Sequence, residues 1–163
     1  MTDIKQILTE KFGMEIILQE IDGIMPILKV PAQDIERVCN FLLTDSQLFF
    51  DSLSCITAFD NGPEKGTMEV IYNLYSIPFD YKIALKIEIP RNTVSESIPK
   101  VPTVSNVWHS ANWAEREAYD LFGIEFEGHP DLRRILMPSD WEGYPLRKDY
   151  QQQEIYHGIT VKY

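Results

Sequence analysis

The spacing of apolar side chains changes several times along this chain, and each spacing predicts a different element. Apolar residues three and four positions apart predict two amphipathic helices, one capped by Thr2 and stopped at Gly13, the other opened by Pro31. Five further runs favour β-strands: 15–21, 24–30, 52–60, 67–76 and 79–89. In the last of these runs apolar and polar residues alternate, which is typical of a strand with one buried and one solvated face.

Turn signals separate these runs and precede a third helix. Asp22-Gly23 between the first two strands is a strong hairpin signal, and the Pro- and Ser-containing residues 91–102 predict a loop. A capping-box spacing formed by Asn112 and Glu115 introduces a predicted helix over residues 113–122. The order helix, hairpin, helix and three-strand meander predicts an α+β fold, in which a mixed or antiparallel sheet carries helices packed on one face.

The chain loses any regular period after Gly123, where the third helix is predicted to end. Prolines interrupt the remaining residues and exclude a long helix. We therefore predict two parts: an α+β scaffold domain over residues 1–124, which includes the third helix, and an extended partner-binding tail over residues 125–163. Apolar side chains of this tail would form a sticky patch in water, so they fold onto their own domain, hold another protein, or do both.

Composition narrows the classes of function. The chain has 163 residues and a formal net charge of -10, which supports one domain with a tail and argues against nucleic-acid binding, because a phosphate-binding protein needs a basic face. Cys39 and Cys55 cannot form a self-contained iron–sulfur or zinc site, and no phosphate-loop motif is present. No apolar run approaches the roughly 20 residues that span a bilayer, and no secretion signal opens the chain, so we expect a cytoplasmic protein without a transmembrane segment.

Charged residues of the third helix and of the start of the tail are the candidates for chemistry. Glu117 shares a helix face with apolar residues, and the adjacent arginines Arg133 and Arg134 are its predicted partners. Acid–base work by Glu117, Asp120 and His129 is the alternative, and it requires a pocket where the three side chains meet. A structural ion-pair network is favoured over that alternative, because perturbed carboxylates also arise in purely structural networks.

One run of residues matches a family signature at every position. The pattern requires Glu-Arg-Glu, an acid, two large apolar residues, a His, a basic residue and two aliphatic residues at fixed spacings. The residues that fit it are Glu115-Arg116-Glu117, Asp120, Leu121-Phe122, His129, Arg133 and Ile135-Leu136. This run resembles the signature of the C subunit of the proton-pumping NADH–quinone oxidoreductase, respiratory complex I. Residues 111–113 and 143–150 are also similar to that family, although Gln151 stands where family members often have proline.

The resemblance implies a non-catalytic subunit of the hydrophilic arm, peripheral to the membrane on its cytoplasmic face. Such a subunit clamps the D subunit, the quinone-site subunit, which forms the quinone pocket with the B subunit. Electrons pass from NADH through FMN and iron–sulfur centres of other subunits to quinone, and proton translocation follows in the membrane arm. The chain itself is expected to bind no cofactor and no metal. A ferredoxin-dependent relative or a membrane-bound hydrogenase would use an equivalent subunit, and the motif does not separate these hosts.

The predicted site residues form two groups. Six charged residues are expected to form a buried ion-pair lattice that shapes the tail: Glu115, Arg116, Glu117, Asp120, Arg133 and Arg134. His129 belongs to the same motif, and a structural role in a turn is favoured for it over a proton relay. Four residues of the tail are the predicted partner-facing anchors: Trp141, Tyr144, Leu146 and Arg147.

Overall fold

Helices and strands succeed one another along the chain in the computed structural model, which describes residues 4–21, 25–93 and 96–161. The helices of this part of the chain are α1 (Ile4–Phe12), α2 (Ile35–Thr44) and α3 (Ala111–Phe122). The strands are β1 (Gln19–Ile21), β2 (Ile27–Lys29), β3 (Ser52–Asp60), β4 (Thr67–Ser76), β5 (Tyr81–Pro90), β6 (Lys100–Pro102), β7 (Glu125–Glu127), β8 (Ile155–Tyr156) and β9 (Ile159–Thr160). None of the helices among the described residues is long and apolar enough to cross a bilayer.

Five of these strands form one mixed sheet in the order β1-β2-β5-β4-β3. β2 and β5 run parallel, whereas the other neighbours are antiparallel. The parallel pair is possible because α2 and the strands β3 and β4 provide the long crossover that parallel neighbours require. The predicted α+β fold with a mixed sheet is therefore confirmed.

One face of this sheet is buried together with the helices. Alternate side chains of β4 point to that face, and the buried ones include Met68, Val70, Tyr72 and Leu74. Helices α2 and α3 contribute to the same hydrophobic cluster through Val38, Cys39, Leu42, Ala111 and Ala118. On the other face, Lys86 and Glu69 form an ion pair at 2.8 Å. The period of two in β4 thus separates the core side from the polar side.

The first predicted strand is shorter than its apolar run. Residues 14–16 form a 3-10 turn, and only Gln19–Ile21 pair with β2 in antiparallel register. The turn follows Gly13, whose φ of 93° is readily adopted only by glycine, and it directs Ile16 into the core. The predicted Thr2 cap and the Asp22-Gly23 turn lie outside the described residues.

The predicted loop over residues 91–102 ends in a strand that the sequence did not indicate. β6 pairs in parallel with β7, so Val101 lies opposite Phe126 and both side chains are buried. A strand of three residues is too short to show a period. Because β7 begins after residue 124, the chain continues to pack on the core beyond the predicted domain boundary, and the boundary itself stays a prediction.

Helix α3 starts at Ala111, two residues earlier than predicted, and the predicted capping box is wrong. Ser110 precedes the helix without a capping hydrogen bond from its side chain. The Glu115 carboxylate turns into the core instead, where it accepts the Val104 N–H at 2.7 Å. Gly123 ends the helix as predicted, with a φ of 68° in the left-handed region.

Candidate functional site

The Asp120 side chain joins α3 to the tail. It is fully buried, and its Oδ2 atom accepts N–H groups from three successive residues, Ile135, Leu136 and Met137, at 2.7–3.0 Å. Arg134 Nη1 donates to the other oxygen, Oδ1, at 2.8 Å. Burial alone would raise the pKa of the Asp120 carboxyl, but these N–H groups and Arg134 outweigh burial and lower the pKa. One ionised side chain therefore fixes the conformation of residues 134–137.

Arg134 extends the same connection across the tail. Its Nη1 also donates to the Asp120 carbonyl at 3.2 Å, and its Nη2 donates to the Gly143 carbonyl at 2.9 Å. The guanidinium lies 5.4 Å from the centre of the Tyr144 ring. That ring packs directly on Gly123, where a Cβ would come within 2.4 Å of it. Glycine at position 123 therefore satisfies both the left-handed helix end and the close approach of the tail.

A second buried carboxylate holds a later part of the tail. Asp60, at the end of β3, accepts Arg91 Nε and the Lys148 N–H, each at 2.9 Å. Arg91 also bonds the Asp149 carboxylate. Burial would raise the pKa of Asp60, yet the N–H groups of Lys148 and Gly62 together with Arg91 lower it. The sequence gives no sign of the roles of Asp60 and Arg91, because residues 60 and 148 are 88 positions apart and no local pattern relates them.

Arg147 lies between these two carboxylate sites. Its Nε donates to the Phe122 carbonyl at 2.7 Å, and its Nη2 donates to Asn92 Oδ1 at 2.8 Å. The guanidinium is 4.8 Å from the centre of the Tyr144 ring, so Tyr144 contacts two arginines. Burial, and next the charge of Arg91, lower the pKa of Arg147. These contacts attach the tail to the carboxyl end of α3, where free carbonyls favour a cation.

The four predicted partner-facing anchors differ in their exposure. Tyr144 and Arg147 contact their own chain, as described above, and Trp141 Nε1 donates to the Tyr150 hydroxyl at 2.9 Å. Leu146 is exposed, with 51% of its surface open to water, although its N–H bonds the Leu121 carbonyl at 3.0 Å. Partner binding by these four residues stays a prediction. Their intramolecular contacts show that the tail folds onto its own domain.

Glu115 lies in a buried polar cluster. Its carboxylate accepts the Val104 N–H and the Thr103 hydroxyl, and Thr103 Oγ1 is 2.8 Å from Ser105 Oγ. Burial raises the pKa of Glu115 to about 7, although the hydrogen bonds from Thr103 and Val104 act in the opposite direction. A change of pH near neutrality therefore changes the charge inside the core.

His129 lies at the edge of this cluster. Its Nε2 is 3.9 Å from Glu115 Oε2 and 3.2 Å from the Asn112 carbonyl. The Asp131 N–H donates to Nδ1 at 3.0 Å, so the hydrogen-bond pattern assigns the proton of the neutral ring to Nε2. Burial lowers the pKa of His129. The ring thereby ties the turn at residues 128–131 to α3.

The predicted ion-pair lattice forms only in part. The buried Asp120 pairs with the partly buried Arg134, but Glu117 is exposed and makes no ion pair with either arginine in the described part of the chain. The prediction that Glu117 faces the core is wrong. The buried stripe of α3 runs instead through Ala111, Glu115 and Ala118, which are spaced by four and three positions.

Arg116 and Arg133 also depart from the predicted lattice. Arg116 is buried, and its Nε donates to the backbone carbonyl of Arg133 at 3.3 Å. Its guanidinium stacks against the exposed Trp113 ring at 4.9 Å. The Arg133 side chain points into water, with 72% of its surface exposed, and pairs with Asp131 at 3.1 Å. The two neighbouring arginines at 133 and 134 therefore play different structural roles.

The structure does not support the acid–base alternative, because its three side chains do not surround one pocket. It requires Glu117, Asp120 and His129 around one pocket, but hydrogen bonds enclose Asp120 on both of its carboxylate oxygens. The groove that Glu117 lines contains neither Asp120 nor His129. Among the described residues, no cluster of His, Cys, Asp and Glu side chains has the arrangement of a metal site. The three side chains therefore cannot act on one substrate in this conformation.

One protein family matches the part of the chain that contains the third helix and both buried carboxylate sites. Residues 28–156 match the family described as respiratory-chain NADH dehydrogenase, 30 Kd subunit. This range includes α2, α3, most of the sheet and both buried carboxylate sites.

Curated relatives match nearly the whole chain. The C subunit of NADH-quinone oxidoreductase from Chloroherpeton thalassium is 41% identical over 160 residues, which are 97% of this chain and 64% of that protein. The C subunit from Chlorobium phaeobacteroides is 42% identical over 159 residues, which are 96% of this chain and 92% of that protein. The chain thus spans slightly less than two thirds of the first relative and most of the second.

A solved structure shares the fold over most of both chains. It comes from the membrane-bound sulfane sulfur reductase, described as an archaeal respiratory membrane complex. The TM-score is 0.73 at 26% sequence identity, and the match covers 91% of this chain and 84% of that chain.

Proposed function

The chain belongs to the family of the 30 kDa subunit of respiratory-chain NADH dehydrogenase, and on that premise we propose that it is a non-catalytic subunit of a proton-translocating NADH–quinone oxidoreductase. In this role α3 and the tail hold the quinone-site subunit within the peripheral arm of the complex. Family membership supports the choice of complex, and the geometry of the tail supports the holding role.

The observation that carries this proposal is the use of buried carboxylates to position the tail. Asp120 and Asp60 both accept hydrogen bonds from the tail backbone and from arginines, so neither is available to a substrate. The tail that they hold exposes the apolar side chains of Leu136 and Leu146. A tail that is fixed in advance loses less conformational entropy when it binds another protein. This arrangement suits a binding surface better than a catalytic site.

In this proposal the redox chemistry belongs to partner subunits. Electrons pass from NADH through FMN and iron–sulfur centres in those subunits to quinone without entering this chain. The B subunit and other subunits of the hydrophilic arm adjoin the quinone-site subunit, and the chain meets the cytoplasmic face of the membrane only through the complex. The net charge of -10 is complementary to a basic partner surface.

The likeness to the membrane-bound sulfane sulfur reductase supports an alternative to complex I as the host complex. An equivalent subunit in a ferredoxin-dependent relative of complex I, or in a membrane-bound hydrogenase, would hold the corresponding large subunit. Purification of the tagged chain with its partners, followed by mass spectrometry, separates the hosts. An NADH-binding flavoprotein among the partners supports the proposal, whereas a nickel–iron hydrogenase subunit supports the alternative.

Replacement of one arginine tests the holding role. Arg134→Ala removes the donor to Asp120 and frees the start of the tail, so we expect less assembled complex. The material that does assemble should oxidise NADH with an artificial electron acceptor at the wild-type rate. Arg37→Ala is the matched control, since this arginine is exposed, pairs with Asp34 and lies outside α3 and the tail, so its loss should leave assembly unchanged. Full assembly of Arg134→Ala with loss of quinone reduction alone would instead give this chain a part in quinone chemistry.

A further inference from the structure

An open groove of about 400 Å³ lies between the edge strand β3, helix α3 and residues 135–136 of the tail. Apolar and small polar side chains line most of it, and its lining consists of Leu53, Ser54, Cys55, Ile56, Ser110, Trp113, Ala114, Glu117, Ile135 and Leu136. Two of its large side chains are mostly exposed, Trp113 at 64% and Leu136 at 59%. An aromatic and an aliphatic side chain held open to water beside a groove are typical of a protein-binding surface.

Contacts within the chain hold the exposed side chains of this groove in place. The Trp113 ring rests on the Arg116 guanidinium, and Arg116 is itself bonded to the Arg133 carbonyl at 3.3 Å. The Leu136 N–H is fixed to Asp120 Oδ2 at 2.7 Å. Because these supports are already ordered, a partner that covers Trp113 and Leu136 loses little conformational entropy. Tryptophan is also among the residues that dominate binding energy at interfaces.

The charge of the groove indicates what its partner must supply. Glu117 is the one Asp, Glu, Lys or Arg side chain among the lining residues, and it has no ion pair within the described chain. It follows Trp113 by one helical turn, so the carboxylate and the ring lie on the same face of α3. An apolar partner that covered this face would remove water from an unpaired carboxylate, which is unfavourable unless the partner brings a cation.

We propose that this groove receives an apolar segment of the quinone-site subunit, and that the segment carries an arginine for Glu117. Arginine fits better than lysine, because its planar guanidinium can bond the carboxylate with two parallel N–H groups and lie beside the exposed Trp113 ring. The inference rests on the proposed function and deepens it by naming the surface and the chemistry of the contact. It also gives Glu117 an external partner, which the described part of the chain does not provide.

The natural cysteines allow a direct test with the full chain. Cys55 lies in the groove and is exposed, whereas Cys39 is buried. We expect alkylation of Cys55 by a maleimide to slow several-fold when the quinone-site subunit of the same organism is added in excess, with Cys39 unreactive throughout. Binding of that subunit with Cys55 alkylated at its free rate would overturn the groove as the contact. Protection that rises with the concentration of the chain alone would identify a second copy as the occupant and would also overturn it.

Two variants test the chemistry of the contact. Trp113→Ala and Glu117→Arg should each weaken the binding of the quinone-site subunit by about tenfold or more, as expected for the centre of an interface. Ile77→Ala and Glu64→Arg are matched controls, because they make the same kinds of change at exposed positions outside the groove. Equal binding by all four variants would overturn the proposal but leave the proposed function standing. Failure of the wild-type chain to bind the quinone-site subunit would remove both.

Discussion

Arg134 Nη1 lies 2.8 Å from Oδ1 of Asp120, a carboxylate with no exposure to water, and this pair connects the last turn of α3 to the start of the tail. The same carboxylate also orders three successive backbone N–H groups. Both residues lie within or beside the motif that the sequence revealed. The structure explains their spacing, since residues 123–133, which include β7, lead the chain away from α3 and back to it. A charged pair in this position fixes the tail against α3 at residue 134.

The isolated chain should be less stable without the Arg134 side chain. Arg134→Ala leaves the buried Asp120 carboxylate with backbone donors only, and hydrogen bonds to charged groups contribute about 1.5–3 kcal/mol each. We expect the free energy of unfolding in urea to fall by about that amount. The exposed neighbour provides the comparison, since Arg133→Ala should change the free energy by less than about 0.5 kcal/mol. Equal effects of the two substitutions would contradict the assigned role of Arg134.

Gly123 should tolerate no side chain. Gly123→Ala adds a Cβ that would lie 2.4 Å from the Tyr144 ring, in addition to the strain of its left-handed φ of 68°. Gly66→Ala is the matched control, because Gly66 has a φ of 63° and no atom of the described residues lies within 4 Å of its added Cβ. The strain of the left-handed backbone alone destabilises the folded chain by about 1–2 kcal/mol. We expect thermal unfolding to show a clearly larger loss for Gly123→Ala, and similar losses would mean that Tyr144 moves aside freely.

Stability should depend on pH through Glu115. Its pKa is raised from 4.5 to about 7 in the folded chain, so the folded state keeps a proton that the unfolded state releases. The resulting stabilisation is complete below pH 4.5 and is lost as the pH rises through 7. Glu115→Gln cannot titrate. Its free energy of unfolding should therefore fall less than that of the wild type between about pH 5 and pH 8, the range in which folded Glu115 loses its proton. Urea unfolding of both proteins at the two pH values measures the difference.

The exposed glutamate of the same helix controls for the charge change. Glu117→Gln removes the same charge two residues away at an exposed position. It should follow the wild-type dependence of stability on pH. If Glu115→Gln and Glu117→Gln behave alike, the buried polar cluster around Glu115 does not bind the proton.

The Asp60–Arg91 pair should hold residues 147–150 independently of the Asp120 site. Arg91→Ala leaves Asp60 buried without its cation and removes the bond to Asp149, so backbone amides of residues 147–150 should exchange hydrogen faster. Amides of residues 135–137 should keep their protection, because Asp120 still accepts them. Lys82→Ala, which removes an exposed ion pair with Asp80, should leave exchange in both segments unchanged. Equal loosening of both segments after Arg91→Ala would show that the two sites act as one.

Much of the scaffold could be predicted from local spacing. The stripe of α2 and the alternation of β5 each reflect one buried face, so their periods identify the elements without knowledge of the rest of the chain. The helix end at Gly123 was likewise predictable from residue type. Elements of three residues, such as β6 and β7, had no period to reveal them.

The candidate site was harder to predict, because its contacts join distant residues. Asp60 and Lys148 are hydrogen-bonded in the fold although 88 positions separate them in the sequence, and nothing near either residue indicates the other. The spacing of residues in α3 does not give its orientation, because Glu115 and Glu117 are both acids on an amphipathic helix and only packing decides which of them is buried. The family motif identified the right residues but not which of them face water.

Hydrogen exchange with and without the quinone-site subunit tests the central claim most directly. The full chain is labelled alone and after addition of an excess of that subunit from the same organism. If α3 and the tail hold this partner, amides of residues 111–122 and 125–161 should exchange more slowly in the complex, while β1 at the opposite edge of the sheet should be unchanged. Unchanged exchange of the tail while the quinone-site subunit is bound would contradict the claim.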